Sequence, residues 1–342
     1  MAQAQPAVTL EEMRDIVRRL PGPDLEAGTE ARRREAQLTK PAGALGRLEE
    51  ISYWMACWQG RHPPKLNHPR IAVFAGNHGV AAARAVSAFP VTVTAQMVRN
   101  FQDGGAAVNQ LSRIADSDLQ VYELDLGQPT ADFTQGPAMD EETCARAMAY
   151  GMMAVEPGLD ALCLGEMGIG NTTAAAAICA GLFDEPPALW AGPGTGVDEA
   201  GLARKVAAIT DGLAANKAVM TDPFGVLRCL GGLEFAAIVG AIIAARMAKT
   251  PVLLDGFACT AAAAVLWACD PRAIDHCLVA HASGEPGHRL LLERIERDAV
   301  LDLGMRLGEA SGAAVALQVV RAAVECHAGM ATFAEAGVST KA

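Results

Sequence analysis

Two glycine-rich segments of this chain carry residue types that can bind an anion. Residues 165–173 read GEMGIGNTT, and the glycines allow backbone amides to approach a ligand closely. Asn171 or Thr172 can cap the helical run that follows, and free amides at a helix N-terminus favour negative charge. A tight turn needed only for packing explains the same glycines, so this segment alone leaves both interpretations open.

The second segment, residues 192–196, reads GPGTG and precedes Asp198 and a helical run with Arg204 and Lys205. Backbone amides with a cation close by form a suitable cradle for phosphate. A plain turn with Asp198 as the helix cap is the alternative. Two such segments in one chain together favour a phosphorylated ligand.

Three acidic residues are candidates for acid–base chemistry. Glu166, Asp255 and Glu309 have no ionisable neighbour in the sequence, and each could be a general base, a cap or a buried acceptor. Glu309 lies in residues 307–312 (LGEASG), whose small side chains leave room for a ligand. A carboxyl group in a water-poor pocket has a raised pKa, which suits proton abstraction near neutral pH.

Other motifs for cofactors and nucleophiles do not match this sequence. The first glycine segment has no GK[ST] and does not read GxGxxG, so a P-loop or dinucleotide site is poorly supported. No GxSxG or Cys/His protease pattern occurs. Four residues suggest a metal by type, but their spacing fits no zinc pattern, which favours loop and helix-end roles for His276, His281, Glu285 and His288.

The elements that must position these residues form an alternating pattern after Arg70. Short β-type runs, each ending in glycine or a polar residue, alternate with alanine-rich helical runs, which predicts a parallel α/β sheet. Ligands bind such sheets beyond the carboxyl ends of the strands, where the polar residues of this chain are concentrated. The predicted strands are residues 71–75, 119–126, 161–164, 252–254 and 277–280, with a weaker one at 189–191.

Both ends of the chain have helical patterns instead. Helices are predicted at residues 10–20, 24–37 and 45–58, and again at 308–325 and 331–336. Residues 1–65 and 300–342 are therefore predicted to form a small helical domain. Residues 66–299 are predicted to form the α/β domain that carries the glycine-rich segments.

Composition excludes several classes of function. The formal net charge of −11 provides no broad positive face of the kind that nucleic acids require. Nine cysteines without a CxxC pair are typical of reduced thiols in the cytoplasm. The N-terminus lacks a signal-peptide pattern, and the apolar runs are too short to span a membrane. We therefore expect a cytoplasmic protein without membrane insertion.

Nine stretches in the same order give the chain a more specific resemblance. It resembles the nicotinate-nucleotide:dimethylbenzimidazole phosphoribosyltransferase family of cobalamin biosynthesis over about residues 38–338. The resemblance implies a Rossmann-like parallel sheet, a small helical domain from both termini, a homodimer, and no metal or redox cofactor. The stretches are residues 38–49 (LTKPAGALGRLE), 74–80 (FAGNHGV), 93–98, 165–173, 194–198, 254–257 (LDGF), 285–288 (EPGH), 301–312 and 330–338.

The resemblance also implies roles for individual residues. Glu309 would take a proton from the benzimidazole, with Glu166 sharing that role. Ser87, Gln96 and Leu307 would line the pocket for the aromatic base. The nicotinate mononucleotide would be bound by Gly168, Asn171, Thr172, Gly194, Gly196, Lys205, Asp255 and Ser283.

Three positions depart from the family pattern. Asn77 replaces a more usual Asp, Ala42 a common Pro and Ala310 a common Gly. The loss of the charge at Asn77 puts an acid role there in doubt. Ala310 reduces the conformational freedom of the backbone next to Glu309, the candidate catalytic base. Two other functions stay open: a transferase for another acceptor such as adenine or a phenol, and a non-catalytic nucleotide-binding regulator.

Overall fold

A single parallel sheet organises the chain. The computed structural model describes residues 8–339, and the predicted helices at both ends fall within them, whereas residues 1–7 and 340–342 of the predicted terminal domain lie outside. Within residues 8–339 the sheet has six strands, in the order β2-β1-β3-β4-β5-β6. They are β1 (Pro69–Ala75), β2 (Asp118–Glu123), β3 (Ala161–Met167), β4 (Val252–Leu254), β5 (Cys277–His281) and β6 (Ala299–Leu301).

The strand order creates a topological switch point between β1 and β3. β1 pairs in parallel with β2 on one side and with β3 on the other, so the crossovers that leave β1 and β2 run in opposite directions along the sheet. A crevice opens beyond the carboxyl ends of the strands at such a point. β1 ends at the Gly76-Asn77-His78 turn, and β3 ends at Met167, before Gly168.

The strand predictions were confirmed at five places and wrong at one. Pro187 to Trp190 form a short helix instead of a strand, because Pro187 stands at the first helical position, where its fixed φ and missing N–H are favourable. The structure also contains a strand that the sequence did not reveal. β6 is a half-buried edge strand of three residues, whereas the equally short β4 is fully buried and was recognised as an apolar run.

Helices cover both faces of the sheet. Within residues 8–339 there are sixteen α-helices and a 3₁₀-helix at Pro271–Ile274. In chain order the α-helices are α1 (Leu10–Val17), α2 (Leu25–Glu35), α3 (Arg47–Gln59), α4 (Gly79–Arg84), α5 (Thr92–Gln102), α6 (Ala107–Ile114), α7 (Glu141–Met152), α8 (Asn171–Phe183), α9 (Pro187–Trp190), α10 (Glu199–Asn216), α11 (Pro223–Leu230), α12 (Leu233–Met247), α13 (Phe257–Cys269), α14 (Pro286–Arg294), α15 (Ser311–Gly329) and α16 (Phe333–Ala336).

Two apolar layers hold these helices to the sheet. One face packs α1, α7, α8, α11, α12 and α13 against the strands. The other packs α3, α6 and α15. The terminal helices therefore contact the sheet on both faces, and the predicted division at residues 65/66 and 299/300 stays a prediction.

Arg34 fixes the far end of α15. Its guanidinium donates to the carbonyl oxygens of His327, Ala328 and Met330, each at 2.9 Å. These carbonyls lie at the C-terminus of α15, where the helix itself offers no donors. α15 is thereby held to α2 at one end, while its N-terminus starts two residues after Glu309.

Two glycines allow α7 and α12 to cross at backbone contact. A Cβ atom on Gly151 would overlap the Ala237 carbonyl oxygen, and one on Gly240 would overlap the Met148 carbonyl oxygen. Both obstacles are backbone atoms, which cannot move aside as a side chain can. Small residues at these two positions are a requirement of the fold.

The Gly240→Ala substitution is expected to lower the free energy of unfolding by about 3 kcal/mol, because one methyl group must force the two helices apart. Urea unfolding followed by circular dichroism measures the change. Gly22→Ala is the matched control, since a Cβ there meets nothing within 4 Å. If the two variants had the same free energy of unfolding, the crossing of α7 and α12 would tolerate the added methyl group and the prediction would be wrong.

None of the helices within residues 8–339 is both long and apolar enough to cross a membrane.

Candidate active site

A cleft lies beyond the carboxyl ends of β3, β4 and β5. It brings together the two glycine-rich segments, although they are separated along the chain. The segment after β6 closes the cleft from the other side. Its lining is formed by Glu166, Met167, Gly168, Ile169, Asn171, Thr172, Gly194, Thr195, Gly256, Phe257, Ala258, His281, Ser283, Glu285, Arg306, Leu307 and Gly308.

The turn from β3 to α8 presents an uncapped helix N-terminus to this cleft. The N-cap is Gly170, at a φ of 95°, and it has no side chain to offer. The expectation that Asn171 or Thr172 caps α8 was wrong: α8 begins at Asn171, whose side-chain amide donates to the Glu166 carboxylate instead. The Thr172 N–H makes no hydrogen bond within the described residues, so it remains available to an anion.

A buried His–Glu pair packs against the turn from β3 to α8. His78 Nε2 lies 2.5 Å from Glu234 Oε1, and both side chains are almost completely excluded from solvent. A Cβ on Gly168 would lie 2.6 Å from the Gly76 carbonyl oxygen and 3.2 Å from Glu234 Oε1. From the side, Thr94 Oγ1 accepts a hydrogen bond from the Ile169 N–H at 3.2 Å. The turn is therefore held on two sides before any ligand binds.

Lys205 joins the two glycine-rich segments. Its ammonium group is buried and donates to Thr172 Oγ1 at 3.0 Å and to the Gly192 carbonyl oxygen at 2.7 Å. Burial lowers the pKa of Lys205 to about 8, an effect that the charge of Glu285 opposes. The third N–H of the ammonium group remains for a ligand.

The rest of the second segment is fixed by two polar contacts. Asp198 accepts from the Gly201 N–H at 2.8 Å and caps α10, as the sequence allowed. Arg306 Nη1 donates to the Gly194 carbonyl oxygen at 2.9 Å. Gly196 has a φ of 122° and an open surrounding, so a side chain there would be strained but would meet no atom within 4 Å. The cradle therefore combines Lys205, Arg306 and glycine backbone.

Two carboxyl groups with raised pKa lie on segments that a backbone hydrogen bond joins, and one of them, Glu166, lines the cleft. The Glu309 N–H donates to the Glu166 carbonyl oxygen at 3.2 Å, which joins the two segments. Burial, assisted by the charge of Asp255, raises the pKa of Glu309 to about 7. Burial also raises the pKa of Glu166 well above its usual value, and the charges of Asp255, Glu234 and Glu309 act in the same direction. Both groups are suited to hold or accept a proton near neutral pH.

Asp255 lies beneath these groups and is fully buried. Its Oδ1 atom accepts from the Ala313 N–H at 2.9 Å, in the first turn of α15, and lies 3.7 Å from His281 Nε2. Burial raises the pKa of Asp255, while the charge of His281 opposes that rise. Asp255 thus anchors the helix that follows Glu309, and in this structure it has no surface for a substrate.

The backbone at Glu309 is strained. Glu309 and Ala310 both have left-handed conformations, with φ values of 63° and 61°. Each non-glycine residue in this region costs about 1–2 kcal/mol. Strain of this kind is concentrated at functional sites, where the surrounding structure imposes it. The Ala310 departure therefore falls on a position that needs a positive φ, as the sequence suggested.

The Gly308→Ala substitution is expected to lower kcat at least about tenfold, because its Cβ would lie 2.7 Å from Glu166 Oε1 and displace that carboxylate. Steady-state rates measure the effect. Gly304→Ala is the matched control, since Gly304 also has a positive φ, 67°, but an added Cβ meets nothing within 4 Å. Equal losses in both variants would attribute the effect to backbone strain alone.

The remaining predicted residues fall into two groups. Ser283 lines the cleft, and Leu307 lies at its rim with half of its surface exposed. Among the described residues, the cleft lining does not include six of the predicted site residues, namely Ser87, Gln96, Gly196, Lys205, Asp255 and Glu309. Ser87 precedes α5 and Gln96 lies on its exposed side, next to the segment that holds Ile169, so a role for both in base binding stays a prediction.

Four polar residues of the cleft were not selected from the sequence, namely Thr195, His281, Glu285 and Arg306. Glu285 and Arg306 both lie in stretches that match the family, but Glu285 was considered only as a metal ligand. The histidines considered with it have separate environments: His276 contacts the Ile242 carbonyl oxygen, His281 faces Asp255, and His288 contacts Thr260. A Glu at the start of a helix is common, and only its burial in the cleft distinguishes Glu285.

Fold and site together define an α/β enzyme for a small phosphorylated substrate. The chain matches the family described as Phosphoribosyltransferase over residues 20–338. It belongs to the nicotinate-nucleotide–dimethylbenzimidazole phosphoribosyltransferase family, as the following relatives show. The protein of that name from Brucella anthropi is 56% identical over 329 residues, 96% of this chain and 97% of that protein. That from Brucella melitensis biotype 2 is 55% identical over the same shares.

Solved structures agree with this assignment. The crystal structure of the phosphoribosyltransferase of this name from Thermus thermophilus is 41% identical, with a TM-score of 0.85. The match covers 93% of this chain and 100% of that chain. A second structure, described as CobT from the same organism, gives a TM-score of 0.86 at 42% identity, over 92% of this chain and 100% of that chain. The predicted fold class, a Rossmann-like parallel sheet flanked by helices, is thereby confirmed.

Proposed function

We propose that this chain transfers the phosphoribosyl group of nicotinate mononucleotide to 5,6-dimethylbenzimidazole. The products are nicotinate and α-ribazole 5′-phosphate, used in assembly of the nucleotide loop of cobalamin. The family assignment supports this reaction. The geometric observation that carries it is the buried Glu309 carboxyl group, with a pKa of about 7, on the residue that follows Gly308, which lines the same cleft as both glycine-rich segments.

The phosphate group of the donor would bind at the α8 N-terminus. The free Thr172 N–H and the Lys205 ammonium group support this position, because both direct donors towards one end of the cleft. The uncapped helix end adds a partial positive charge. Binding the phosphate here fixes the donor at the end remote from the reacting carbon.

In the chemical step, Glu309 would accept the N–H proton of dimethylbenzimidazole. The other ring nitrogen then attacks C1′ with its electron pair, and the bond between C1′ and the nicotinate nitrogen breaks. That bonding pair returns to the nicotinate ring and removes its positive charge. Attack from the face opposite the leaving group inverts C1′ from β to α. Glu166, whose pKa is also raised, would share the proton.

The test is turnover of nicotinate mononucleotide with dimethylbenzimidazole, with chromatography of nicotinate and α-ribazole 5′-phosphate. Formation of both products supports the proposal. Nicotinate release only with adenine or a phenol would assign another acceptor, and no release with any acceptor would leave a non-catalytic nucleotide-binding protein.

We further propose that the protein works in the cytoplasm as a homodimer. The nine cysteines without a CxxC pair and the homodimer typical of the resembled family support this assignment. Sedimentation equilibrium of the purified chain, of mass 35.6 kDa, measures the assembly. A single species at the monomer mass would overturn it.

A further inference from the structure

One carboxylate in the cleft lacks a side-chain hydrogen-bond partner. Glu285 is 4% exposed, and neither Oε1 nor Oε2 accepts a hydrogen bond of ordinary geometry within the described residues, although the Gly194 N–H lies close enough to lower its pKa. A buried carboxylate without donors is costly, so such a group is usually paired or faces a ligand. Glu285 lines the same cleft as Thr172 and Gly194. Its environment therefore indicates that a ligand supplies the missing donors.

The surroundings of Glu285 join it to the anion cradle. Its Oε2 atom occupies the space that a side chain at Gly192 would fill, so a larger residue there would displace the Glu285 carboxylate. Gly192 is also the residue whose carbonyl oxygen accepts from Lys205. Burial raises the pKa of Glu285, while the charge of Lys205, the Gly194 N–H and the charge of Arg306 oppose the rise and favour the ionised form. The Gly192 loop thus contacts both a cation, Lys205, and an acceptor, Glu285.

The chemistry of the donor substrate limits what can meet this acceptor. The phosphate group and the nicotinate carboxylate are both anions that only accept hydrogen bonds at neutral pH, so Glu285 repels them. The ribose 2′- and 3′-hydroxyls are the neutral donors of nicotinate mononucleotide. They are joined to the phosphate through the sugar ring, which brings them close to any phosphate held by Lys205.

We propose that Glu285 binds the ribose 2′- and 3′-hydroxyls of the phosphoribosyl donor, one with each carboxylate oxygen. This inference rests on the proposed function and assigns the sugar a specific partner in it. The carboxylate holds the ring so that C1′ points away from the phosphate cradle and towards Glu309. It also makes the enzyme selective for ribose over deoxyribose, because a missing hydroxyl leaves a buried charge unpaired.

The experiment compares nicotinate release from nicotinate mononucleotide and from its 2′-deoxy and 3′-deoxy analogues. The wild-type chain is expected to lose about 100-fold in kcat/KM with at least one analogue. Glu285→Gln is expected to lose about 10- to 100-fold with the natural donor. The same variant should discriminate against the deoxy analogues by less than about tenfold, since the charged acceptor is already gone.

Glu293→Gln is the matched control, because it removes the same charge from an exposed position on the same helix, α14. It should keep both the wild-type rate and the wild-type selectivity. If Glu285→Gln loses the same factor with all three donors, Glu285 only supports the Gly192 loop and the inference is overturned. Failure of the proposed function differs from both results, since the wild-type chain would then release no nicotinate from the natural donor.

Discussion

Replacing Glu309 with Gln is expected to lower kcat by about 10²- to 10⁴-fold. Gln keeps the shape of the side chain but cannot accept the benzimidazole proton, and proton transfer by a positioned group typically accounts for a factor of this size. The loss should appear in kcat more than in KM, because Glu309 is assigned to proton transfer and not to binding of the phosphate group. Single-turnover release of nicotinate measures the chemical step directly.

The pH dependence of the wild-type rate tests the same assignment. A base must be ionised to act, so activity from Glu309, with a pKa of about 7, should be present above pH 7 and decline as the pH falls through 7. The residual rate of Glu309→Gln should lack this decline. Glu325→Gln, which changes an exposed residue on α15, is the control and should retain both rate and profile. A wild-type acidic limb near pH 4.5, the ordinary pKa of a glutamate, would contradict the assignment.

Removing the Lys205 charge is expected to have the second large effect. Lys205→Met should lower kcat/KM for nicotinate mononucleotide by about 10³-fold, because the phosphate group loses its buried cation and Glu285 loses the positive charge nearest to it. Most of the loss should appear as a higher KM. Lys217→Met, on an exposed residue just after α10, is the matched control and should bind the donor normally.

The pKa of Lys205 also predicts the basic limb of the pH profile of kcat/KM. With a pKa of about 8, its ammonium group loses its proton as the pH rises through 8 in the free enzyme. Because Glu309 must be ionised and Lys205 must be protonated, the pH profile of kcat/KM should be a narrow bell with its maximum between about pH 7 and pH 8. Lys205→Arg should remove the basic limb, because a guanidinium stays charged. A basic limb unchanged in Lys205→Arg would show that another group causes it.

The sequence predicted those parts of the fold and site that depend on local pattern. Five strands and both glycine-rich segments were recognised because alternation and glycine clusters are visible along the chain. Glu309 and Lys205 were selected for the same reason. The edge strand β6 was missed because it is only half-buried, unlike the equally short β4. The helix at Pro187 was wrongly predicted as a strand from a short apolar run.

Other features depend on three-dimensional contacts that no local pattern reveals. Glu285 is distinguished only by its burial without a side-chain hydrogen-bond partner, and its neighbours Lys205 and Gly192 lie far away in the sequence. Asp255 was predicted to bind the substrate, which stays a prediction, and its hydrogen bond from the Ala313 N–H could not be read from the sequence. The left-handed Ala310 opposes the ordinary preference of alanine, so only the packed structure accounts for it.

Helix α15 also connects the segment of Glu309 to helix α2 in the N-terminal part of the chain. α15 is about 28 Å long, from the rise per residue of a helix, and it is a stiff rod. The N-terminus of α15 lies two residues after Glu309, and three carbonyl oxygens at its C-terminus accept hydrogen bonds from Arg34. A shift of α2 is therefore expected to reach the backbone beside Glu309 through α15. An affinity tag or truncation that displaces α2 is then expected to change the reaction rate without touching the cleft.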